Sequence, residues 1–312
     1  MDTFLEIDRL TKFFRNQWTF RAFRAVSDVN LSLREGEIFG LVGHNGAGKT
    51  TTFKLLLGFL RPSSGRTLFL GRPSASAWAR RQIGFLPEQA YFYDHLSVRE
   101  TLDFYAGLYG LHRAERRARI GELAERLLLT HKLDTPVRSL SKGNLQRVGI
   151  AQSIVHRPRL VILDEPMSGL DPVGRKDMRE LILSLKREGT TIIFSSHILP
   201  DAEALCDRVG VLAGGTIKDV IDPQLTAREP VGYQLDVTGV DAALFGPLGA
   251  LREVNGERAS VRLSITLADR DRLRQAMALV QSRGGEIESL TPIIPSLEER
   301  FLRFVKENHA DE

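Results

Sequence analysis

The sequence predicts an α/β protein with a mixed sheet core, a helical insertion and a small α+β domain at the C-terminal end. Strand-like and helix-like segments alternate up to about residue 222, the pattern of a mainly parallel sheet covered by helices. A glycine-rich run at 43–50 joins an apolar strand to a helix. Turn residues cluster at Asp222-Pro223 and Glu229-Pro230, between two periodic regions. We therefore expect two domains, 1–224 and 225–312, with a helical subdomain over about 88–158 of the first.

The first part of the chain alternates between short strands and one helix. Strand-like runs are expected at Phe4 to Arg9, in a hairpin-like stretch near Trp18 to Val26, at Asn30 to Leu33 and at Ile38 to Val42. A helix pattern follows at 49–60, and short strands return over 67–86, ending at Ile83 to Leu86.

A mostly helical segment is expected from about 95 to 157. Ser97 and Glu100 form a capping box ahead of an apolar helix face that contains Leu102, Tyr105 and Tyr109. The run Arg113 to Arg126 places glutamates at helical distance from arginines, so we expect a solvated helix face there. Strands return at Leu160 to Leu163, Thr191 to Ser195 and Val209 to Leu212, around a helix at Arg175 to Glu188.

The small C-terminal domain shows one strand and two helix patterns. Val261, Leu263, Ile265 and Leu267 alternate as in a half-buried strand. Leu273, Ala276, Met277 and Val280 share one helix face, which ends at Gly284-Gly285. Ser296 and Glu299 form a further capping box before Leu297, Phe301 and Phe304. No residue pattern in this domain indicates catalysis.

Composition excludes several classes of protein. Of the 312 residues 42% are apolar and 26% charged, so neither a disordered chain nor a membrane-embedded one is expected. No run approaches the roughly 18 apolar residues of a spanning helix, and the start lacks a secretory pattern, so another chain must cross any membrane involved. The single cysteine, Cys206, excludes an internal disulfide and fits a reducing compartment. The formal charge of +4 raises nucleic acid as a partner, but the basic residues are mostly scattered, so none is expected.

The glycine-rich run has the G-x-x-x-x-G-K-[ST] pattern of a phosphate-binding loop. It reads Gly43, His44, Asn45, Gly46, Ala47, Gly48, Lys49 and Thr50 and is followed by Thr51. Glycines allow the backbone to fold into a nest of N–H donors at a helix N-terminus, where the dipole favours negative charge. Lys49 would reach the β- and γ-phosphates, and the Thr50 hydroxyl would bind Mg²⁺. We therefore expect a nucleoside triphosphate and Mg²⁺ at this loop.

Two adjacent carboxylates follow the next buried strand. Asp164 and Glu165 end the apolar run that begins at Leu160, at the ligand-binding edge of a parallel sheet. Asp164 would hold Mg²⁺ through its water shell. Glu165 would position and polarise the attacking water, which requires a carboxylate close to the γ-phosphate.

A further motif is similar to the signature sequence of ABC (ATP-binding cassette) ATPases. Leu140-Ser141-Lys142-Gly143-Asn144 lies 23 residues (164 − 141) before the strand carboxylate, with Lys142 and Asn144 where the family usually has Gly and Gln. The resemblance implies a P-loop NTPase cassette fold over residues 4 to about 222. It also implies that Ser141 and Gly143 contact the γ-phosphate of an ATP held on a second subunit.

The same resemblance assigns roles to several other residues. Ser168-Gly169-Leu170-Asp171 resembles the D-loop, which links the two active sites, and His197 matches the switch histidine that contacts the γ-phosphate. The Q-loop glutamine, a catalytic residue and metal ligand in the family, aligns with Glu88 or Gln89 depending on register, and we favour Gln89. The aromatic residue that stacks on adenine is expected at Phe14, with Phe20 as a competitor.

The resemblance implies an ATPase subunit on the cytoplasmic face of a membrane. One phosphate loop and one signature occur, so two ATP-binding subunits must meet head to tail, and a homodimer would have two competent sites. Transmembrane permease subunits are the expected further partners, and ATP and Mg²⁺ the ligands. Leu86-Pro87-Glu88, Ser141-Lys142-Gly143 and the tail Ser296 to Leu302 resemble subunits of ABC-2 type exporters.

Two other classes compete with a transport subunit. A soluble ABC ATPase acting on DNA or ribosomes would need a long heptad insertion or a second cassette, and the sequence shows neither. A small-molecule phosphotransferase would leave the signature, the D-loop and His197 without a role.

Overall fold

A computed structural model of the chain describes residues 3–15, 22–223, 230–255, 261–294 and 299. The chain divides into two compact units, Met1–Asp222 and Pro223–Glu312. Within the described ranges, no helix is both long and apolar enough to cross a membrane.

The first unit contains ten strands and seven α-helices in its described residues. The strands are β1 (Leu5–Arg15), β2 (Ala22–Leu33), β3 (Ile38–Val42), β4 (Ser64–Phe69), β5 (Arg72–Pro73), β6 (Ile83–Leu86), β7 (Leu160–Leu163), β8 (Thr191–Ser196), β9 (Arg208–Ala213) and β10 (Thr216–Ile221). The helices are α1 (Lys49–Leu56), α2 (Ala77–Arg80), α3 (Val98–Leu108), α4 (Arg113–Arg126), α5 (Lys142–Ile154), α6 (Pro172–Arg187) and α7 (Leu199–Leu205).

The main sheet has six strands in the order β10-β9-β3-β8-β7-β6. The strands from β9 to β6 pair in parallel, and β10 pairs antiparallel to β9. All residues of β3, β7 and β8 are buried, as expected for parallel strands covered on both faces. Because parallel strands end at the same edge of a sheet, the segments that follow β3, β7 and β8 meet there. The phosphate loop, the two carboxylates and His197 are these segments.

The second sheet is antiparallel, in the order β2-β1-β4-β5, and its strands β1 and β2 are longer than expected. Of the hairpin-like stretch expected near Trp18 to Val26, residues 18–21 lie outside the described residues. The remainder and the run expected at Asn30 to Leu33 form the single strand β2. Its pairing with β1 shifts register three times, and Arg9 and Asp28 have positive φ angles of 47° and 48°. Such bulges interrupt the alternation of inward and outward side chains, although the strand itself continues. The sequence pattern therefore suggests a strand end at positions where the strand does not end.

Several helices of the first unit follow the sequence patterns, whereas α2 and α7 lie where no helix was expected. The capping box at Ser97 and Glu100 begins α3 as expected. Helix α1 ends at Leu56, earlier than the expected residue 60, because Gly58 adopts a φ of +70°. The solvated face expected on α4 includes one buried arginine, Arg119, which donates to the carbonyl oxygen of Ile154 at the end of α5 (2.7 Å).

The second unit is a four-stranded antiparallel sheet with a helix against one face. Its strands, in the order β12-β13-β11-β14, are β11 (Gly232–Thr238), β12 (Gly249–Asn255), β13 (Val261–Leu267) and β14 (Glu286–Ile293). Helix α8 (Arg270–Ser282) buries Leu273, Ala276 and Val280 against Leu235 and Ile265. Of the tail motif, Ser296, Leu297, Phe301 and Phe304 lie outside the described residues.

Candidate functional site

A cavity of about 650 Å³ opens at the carboxyl edge of the main sheet in the first unit. The phosphate loop forms one wall, and residues from β1, β2 and the segments after β6, β7 and β8 form the others. The lining residues are Phe14, Phe23, Arg24, Ala25, His44, Asn45, Gly46, Ala47, Gly48, Lys49, Thr50, Thr51, Glu88, Glu165, Ser168 and His197. Gly43 lies at the base of the loop, directly after β3.

Two glycines of the loop are required by close packing. Gly48 caps α1 with a left-handed φ of 109°, and a Cβ there would collide with the carbonyl oxygen of Ala25. A Cβ at Gly43 would collide with the carbonyl oxygen of Leu212. The loop is thereby held against β2 and β9, and α1 begins at its end with free N–H groups, an arrangement suited to anions.

Lys49 lies inside the loop with its ammonium group buried. Its Nζ donates to the carbonyl oxygen of Gly43 (2.6 Å) and lies 3.1 Å from Oε1 of Glu165. Both side chains of this ion pair are more than nine-tenths buried. A buried charge of this kind needs a partner, so Glu165 and the loop carbonyl fix the position of the ammonium.

Asp164 is held by a serine that the sequence analysis did not single out. The Ser195 hydroxyl donates to Oδ1 of Asp164 (2.7 Å) and accepts from the N–H of Glu165 (2.8 Å). Burial raises the pKa of Asp164 above its ordinary value, while the hydroxyls of Ser195 and Thr50 act in the opposite direction. Oδ2 of Asp164 is buried and has no hydrogen-bond partner within the described residues.

Glu165 stands between Lys49 and His197. Its Oε2 lies 2.8 Å from Nδ1 of His197, and its backbone has a left-handed φ of 50°. A non-glycine residue in that conformation is strained, and the surrounding hydrogen bonds maintain it here. The sharp turn after β7 points Asp164 and Glu165 to different neighbours, so the two adjacent carboxylates can perform different tasks.

Two phenylalanines face each other at the far end of the cavity. Phe14 of β1 and Phe23 of β2 stack with ring centroids 5.7 Å apart and an interplanar angle of 26°. Lys12 Nζ lies 5.3 Å from the centroid of the Phe14 ring, and Phe23 is 55% exposed. The cavity therefore includes the expected Phe14 and an unexpected partner, Phe23. Phe20, the competitor considered for Phe14, lies outside the described residues.

Known proteins resemble both the sequence and the fold. The family model described as "ABC transporter" matches residues 26–168. An ABC transporter ATP-binding protein of Synechocystis sp. is 38% identical over 306 residues, which cover 97% of this chain and 85% of the relative. The chain belongs to the ABC transporter ATP-binding protein family. It is an ATPase subunit of a transporter, built on the cassette fold that the sequence predicts.

Two further comparisons extend the family assignment. The bacitracin transport ATP-binding protein BcrA of Bacillus licheniformis is 39% identical over 224 residues, covering 71% of this chain and 70% of the relative. The solved structure of cbiO1 from Clostridium perfringens, part of the ABC transporter complex cbiONQ, has a TM-score of 0.63 and 32% identity. That comparison covers 73% of this chain and 92% of cbiO1, so its match extends over most of one cassette.

The Q-loop of this cassette departs from the expectation. Glu88 lines the cavity, whereas Gln89 is absent from its described lining and accepts a hydrogen bond from the Tyr91 hydroxyl (3.3 Å). Both residues are exposed, so the choice depends on the register after β6. Leu86, the last residue of β6, pairs with Leu163, which places Glu88 beside the cavity. Glu88 therefore replaces Gln89 as the candidate at this position.

The signature and the D-loop lie mostly outside the cavity of their own chain. Ser141 caps α5 and accepts from the N–H of Asn144 (3.4 Å), and Gly143 lies in the first turn of α5. Asp171 caps α6 and accepts from the N–H of Gly174 (3.0 Å). None of Ser141, Gly143 and Asp171 is among the described lining residues, although Ser168 of the D-loop is.

Proposed function

We propose that two subunits of this kind close head to tail around two ATP molecules and thereby drive export by separate membrane subunits. The observation that carries the proposal is the separation within one chain of the phosphate loop from Ser141 and Gly143. The sequence contains one loop and one signature, so the signature of a second chain is needed to complete each site. A homodimer would complete two identical sites.

We assign the hydrolytic step to Glu165, whose carboxylate is positioned by His197. Loop amides and Lys49 hold the phosphates, and the Lys49 ammonium is then shared between the phosphates and Glu165. The Glu165 carboxylate accepts the proton of the attacking water as the water oxygen bonds to the γ-phosphorus and the bond to the ADP oxygen breaks. His197 holds the carboxylate in line through the contact at Oε2 (2.8 Å).

The donor set beside the loop fits Mg²⁺. Oδ2 of Asp164 is buried without a hydrogen-bond partner among the described residues, and it and the hydroxyl of Thr50 are oxygen donors of the kind that Mg²⁺ prefers. Within the described residues no cluster of three or more His, Cys, Asp or Glu residues could hold a metal by itself. Mg²⁺ commonly binds through one or two protein oxygens, waters and substrate phosphates, so this small donor set is sufficient. When bound, the ion would neutralise phosphate charge.

The adenine base is proposed to stack on the exposed face of Phe23. The 5.7 Å separation of the Phe14 and Phe23 rings is too small for a base to enter between them. Phe14 then supports Phe23 from behind, and Lys12 Nζ lies over the Phe14 ring. This changes the expected role of Phe14 from direct stacking to support.

The membrane subunit is proposed to dock in an aromatic groove of the first unit. The groove has a volume of about 380 Å³, and Phe59, Tyr91, Phe92 and Tyr105 are among its lining residues. Tyr91 is 84% exposed and Phe59 is 59% exposed. Exposed aromatic side chains around a groove suit an apolar helix face of a partner. Residues 90–92 of the groove lining closely follow Glu88 in the sequence. A partner in the groove would therefore contact the same segment that carries Glu88 to the nucleotide cavity.

We propose export as the direction of transport and the cytoplasmic face of the membrane as the location. The likeness to BcrA, a bacitracin transport protein, and the ABC-2 type segments support export. A subunit that uses cytosolic ATP and docks on a permease lies at the cytoplasmic face of the membrane.

Affinity purification of the full-length chain from detergent-solubilised membranes tests the proposal. We expect a polytopic membrane protein to co-purify and to stimulate ATP hydrolysis, while Lys49→Ala retains the partner and abolishes stimulation. Recovery of nucleic acid or ribosomes with a soluble chain would support the soluble class of ABC ATPases instead. Recovery of a monomeric chain that never dimerises with ATP would contradict the head-to-tail model.

A further inference from the structure

Lys142, the residue that departs from the usual signature, lies against the D-loop of its own chain. Gly169 of the D-loop has a φ of +69°, and a Cβ at this position would collide with Nζ of Lys142. Cε and Cδ of Lys142 are also close to that position, at 2.9 and 3.3 Å. The lysine side chain therefore lies against Gly169, which directly follows Ser168, a residue that lines the nucleotide cavity.

The charge of Lys142 is not balanced locally. The residue is exposed, and within the described part of the chain it forms no ion pair or side-chain hydrogen bond. It is also the first residue of α5, whose first turn contains no acidic residue. A cation at a helix N-terminus opposes the helix dipole, so this position is unfavourable unless an anion approaches it. Glycine, the usual residue of the family at this position, has no charge and therefore avoids this unfavourable interaction with the helix dipole.

We propose that Lys142 binds the terminal phosphate of the ATP held by the opposite subunit, and that its contact with Gly169 is the position it occupies before the subunits close. The proposal rests on the head-to-tail dimer of the preceding section. A lysine binds phosphate as a compact point charge, and its flexible stem allows it to leave the D-loop. ADP lacks the terminal phosphate, so Lys142 would strengthen the preference for ATP at the closing step.

Dimerisation of the Glu165→Gln protein with ATP provides the test, because hydrolysis is suppressed in this background. Light scattering of the full chain gives the ATP concentration for half-maximal dimerisation. We expect Lys142→Gln to raise that concentration roughly tenfold at low ionic strength, the size of one lost charge-assisted contact. Added salt should reduce the difference because it screens the lost attraction. Lys142→Arg should retain most of the effect of the lysine.

A matched control and a second measurement separate this role from a structural one. Lys132→Gln removes the same charge from an exposed lysine of the helical insertion that is absent from the described cavity lining, and it should leave dimerisation unchanged. Binding of ADP to the monomer should be equal in all variants.

If Glu165→Gln itself fails to dimerise with ATP, the proposed function fails. If it dimerises and Lys142→Gln matches it at every salt concentration, the assignment of Lys142 is wrong. A salt-independent loss in both Lys142 variants, with a lower Tm, would show that Lys142 only packs on Gly169.

Discussion

Nδ1 of His197 lies 2.8 Å from Oε2 of Glu165. The two residues follow β8 and β7, which are parallel neighbours with Leu163 opposite Phe194. The sheet register therefore sets this distance, although the residues are 32 positions apart in the sequence. Because Oε1 of Glu165 faces Lys49 (3.1 Å), one carboxylate connects the phosphate-binding lysine to the histidine.

Replacing Glu165 by Gln should separate hydrolysis from binding. The amide keeps the shape of the side chain but cannot accept the proton of the attacking water, so turnover should fall by roughly 10² or more. ATP affinity should stay within a few-fold, since the loop amides and Lys49 hold the phosphates. Phosphate release and nucleotide binding of the full chain measure the two quantities. Near-normal turnover would remove Glu165 from the role of general base.

Replacing Ser195 by Ala should weaken the support of both carboxylates. The change removes the hydroxyl that donates to Asp164 and accepts from the Glu165 N–H. Loss of a buried partner lowers the free energy of unfolding by about 1–3 kcal/mol, and turnover should fall with it. Thermal unfolding and ATPase assays measure the two effects.

Ser153→Ala is the matched control for this change. Ser153 is equally buried, but its hydroxyl donates only to the carbonyl oxygen of Ile150 in its own helix (2.8 Å). We expect a smaller loss of stability and unchanged turnover. Equal behaviour of the two variants would contradict a specific role for Ser195.

The sequence predicted the parts of the site that are continuous in the chain. The loop from Gly43 to Thr50 and the pair Asp164 and Glu165 each carry their chemistry in a short motif that also fixes the local fold. The sequence analysis missed Ser195 and Phe23, because each acts through a residue that is not its neighbour in the sequence. Ser195 contacts Asp164, 31 residues away, and Phe23 stacks on Phe14, 9 residues away. An apolar strand that ends in two serines before a histidine was the only sequence signal for Ser195.

The strand boundaries were less predictable for a similar reason. The bulges near Arg9 and Asp28 interrupt the alternation on which strand recognition depends, while hydrogen bonding continues through them. The choice between Glu88 and Gln89 could not be made from the sequence, because one residue of register decides it and only the pairing of β6 with β7 sets that register.

Glu88 and Gln89 can be distinguished by parallel alanine variants. Glu88 lines the nucleotide cavity, so Glu88→Ala should change the Mg²⁺ dependence of ATP hydrolysis and lower turnover by roughly tenfold or more. Gln89→Ala should leave both nearly unchanged, because Gln89 contacts Tyr91 instead. ATPase assays over a Mg²⁺ titration give the comparison. The reverse order of effects would restore Gln89 to the Q-loop position.

A chain that ends at Asp222 should still bind Mg-ATP. Every phosphate-contacting candidate lies upstream of that residue, and the second unit has a hydrophobic core of its own around Leu235 and Ile265. Circular dichroism would establish that the shortened protein is folded, and fluorescent nucleotide would measure binding. Lost binding in a folded protein would show that the second unit helps to build the site.

The aromatic groove yields the prediction that concerns the membrane partner. Tyr91 lines the groove and is 84% exposed, while Phe92 is half-buried against Tyr105, with ring centroids 6.3 Å apart. Tyr93 is 57% exposed and is not among the described lining residues, but it follows Phe92 and extends the exposed aromatic face beside the groove. Three consecutive aromatic residues cannot all face one core, and here the two tyrosines are the outward members. Tyr91→Ala and Tyr93→Ala should therefore leave the thermal stability and ATP binding of the isolated subunit nearly unchanged. Both should reduce recovery of the membrane subunit and its stimulation of ATP hydrolysis.

Two controls separate docking from packing in this region. Leu128→Ala removes another exposed apolar side chain (67%) that does not line the described groove, and it should not affect the partner. Phe92→Ala should lower the Tm, since it removes a half-buried ring. If the tyrosine variants also unfold at clearly lower temperature and still bind the partner when folded, the tyrosines only pin a loop to the helical insertion. The membrane subunit would then have to dock elsewhere, because the aromatic face that motivates this site would have no role in recognition.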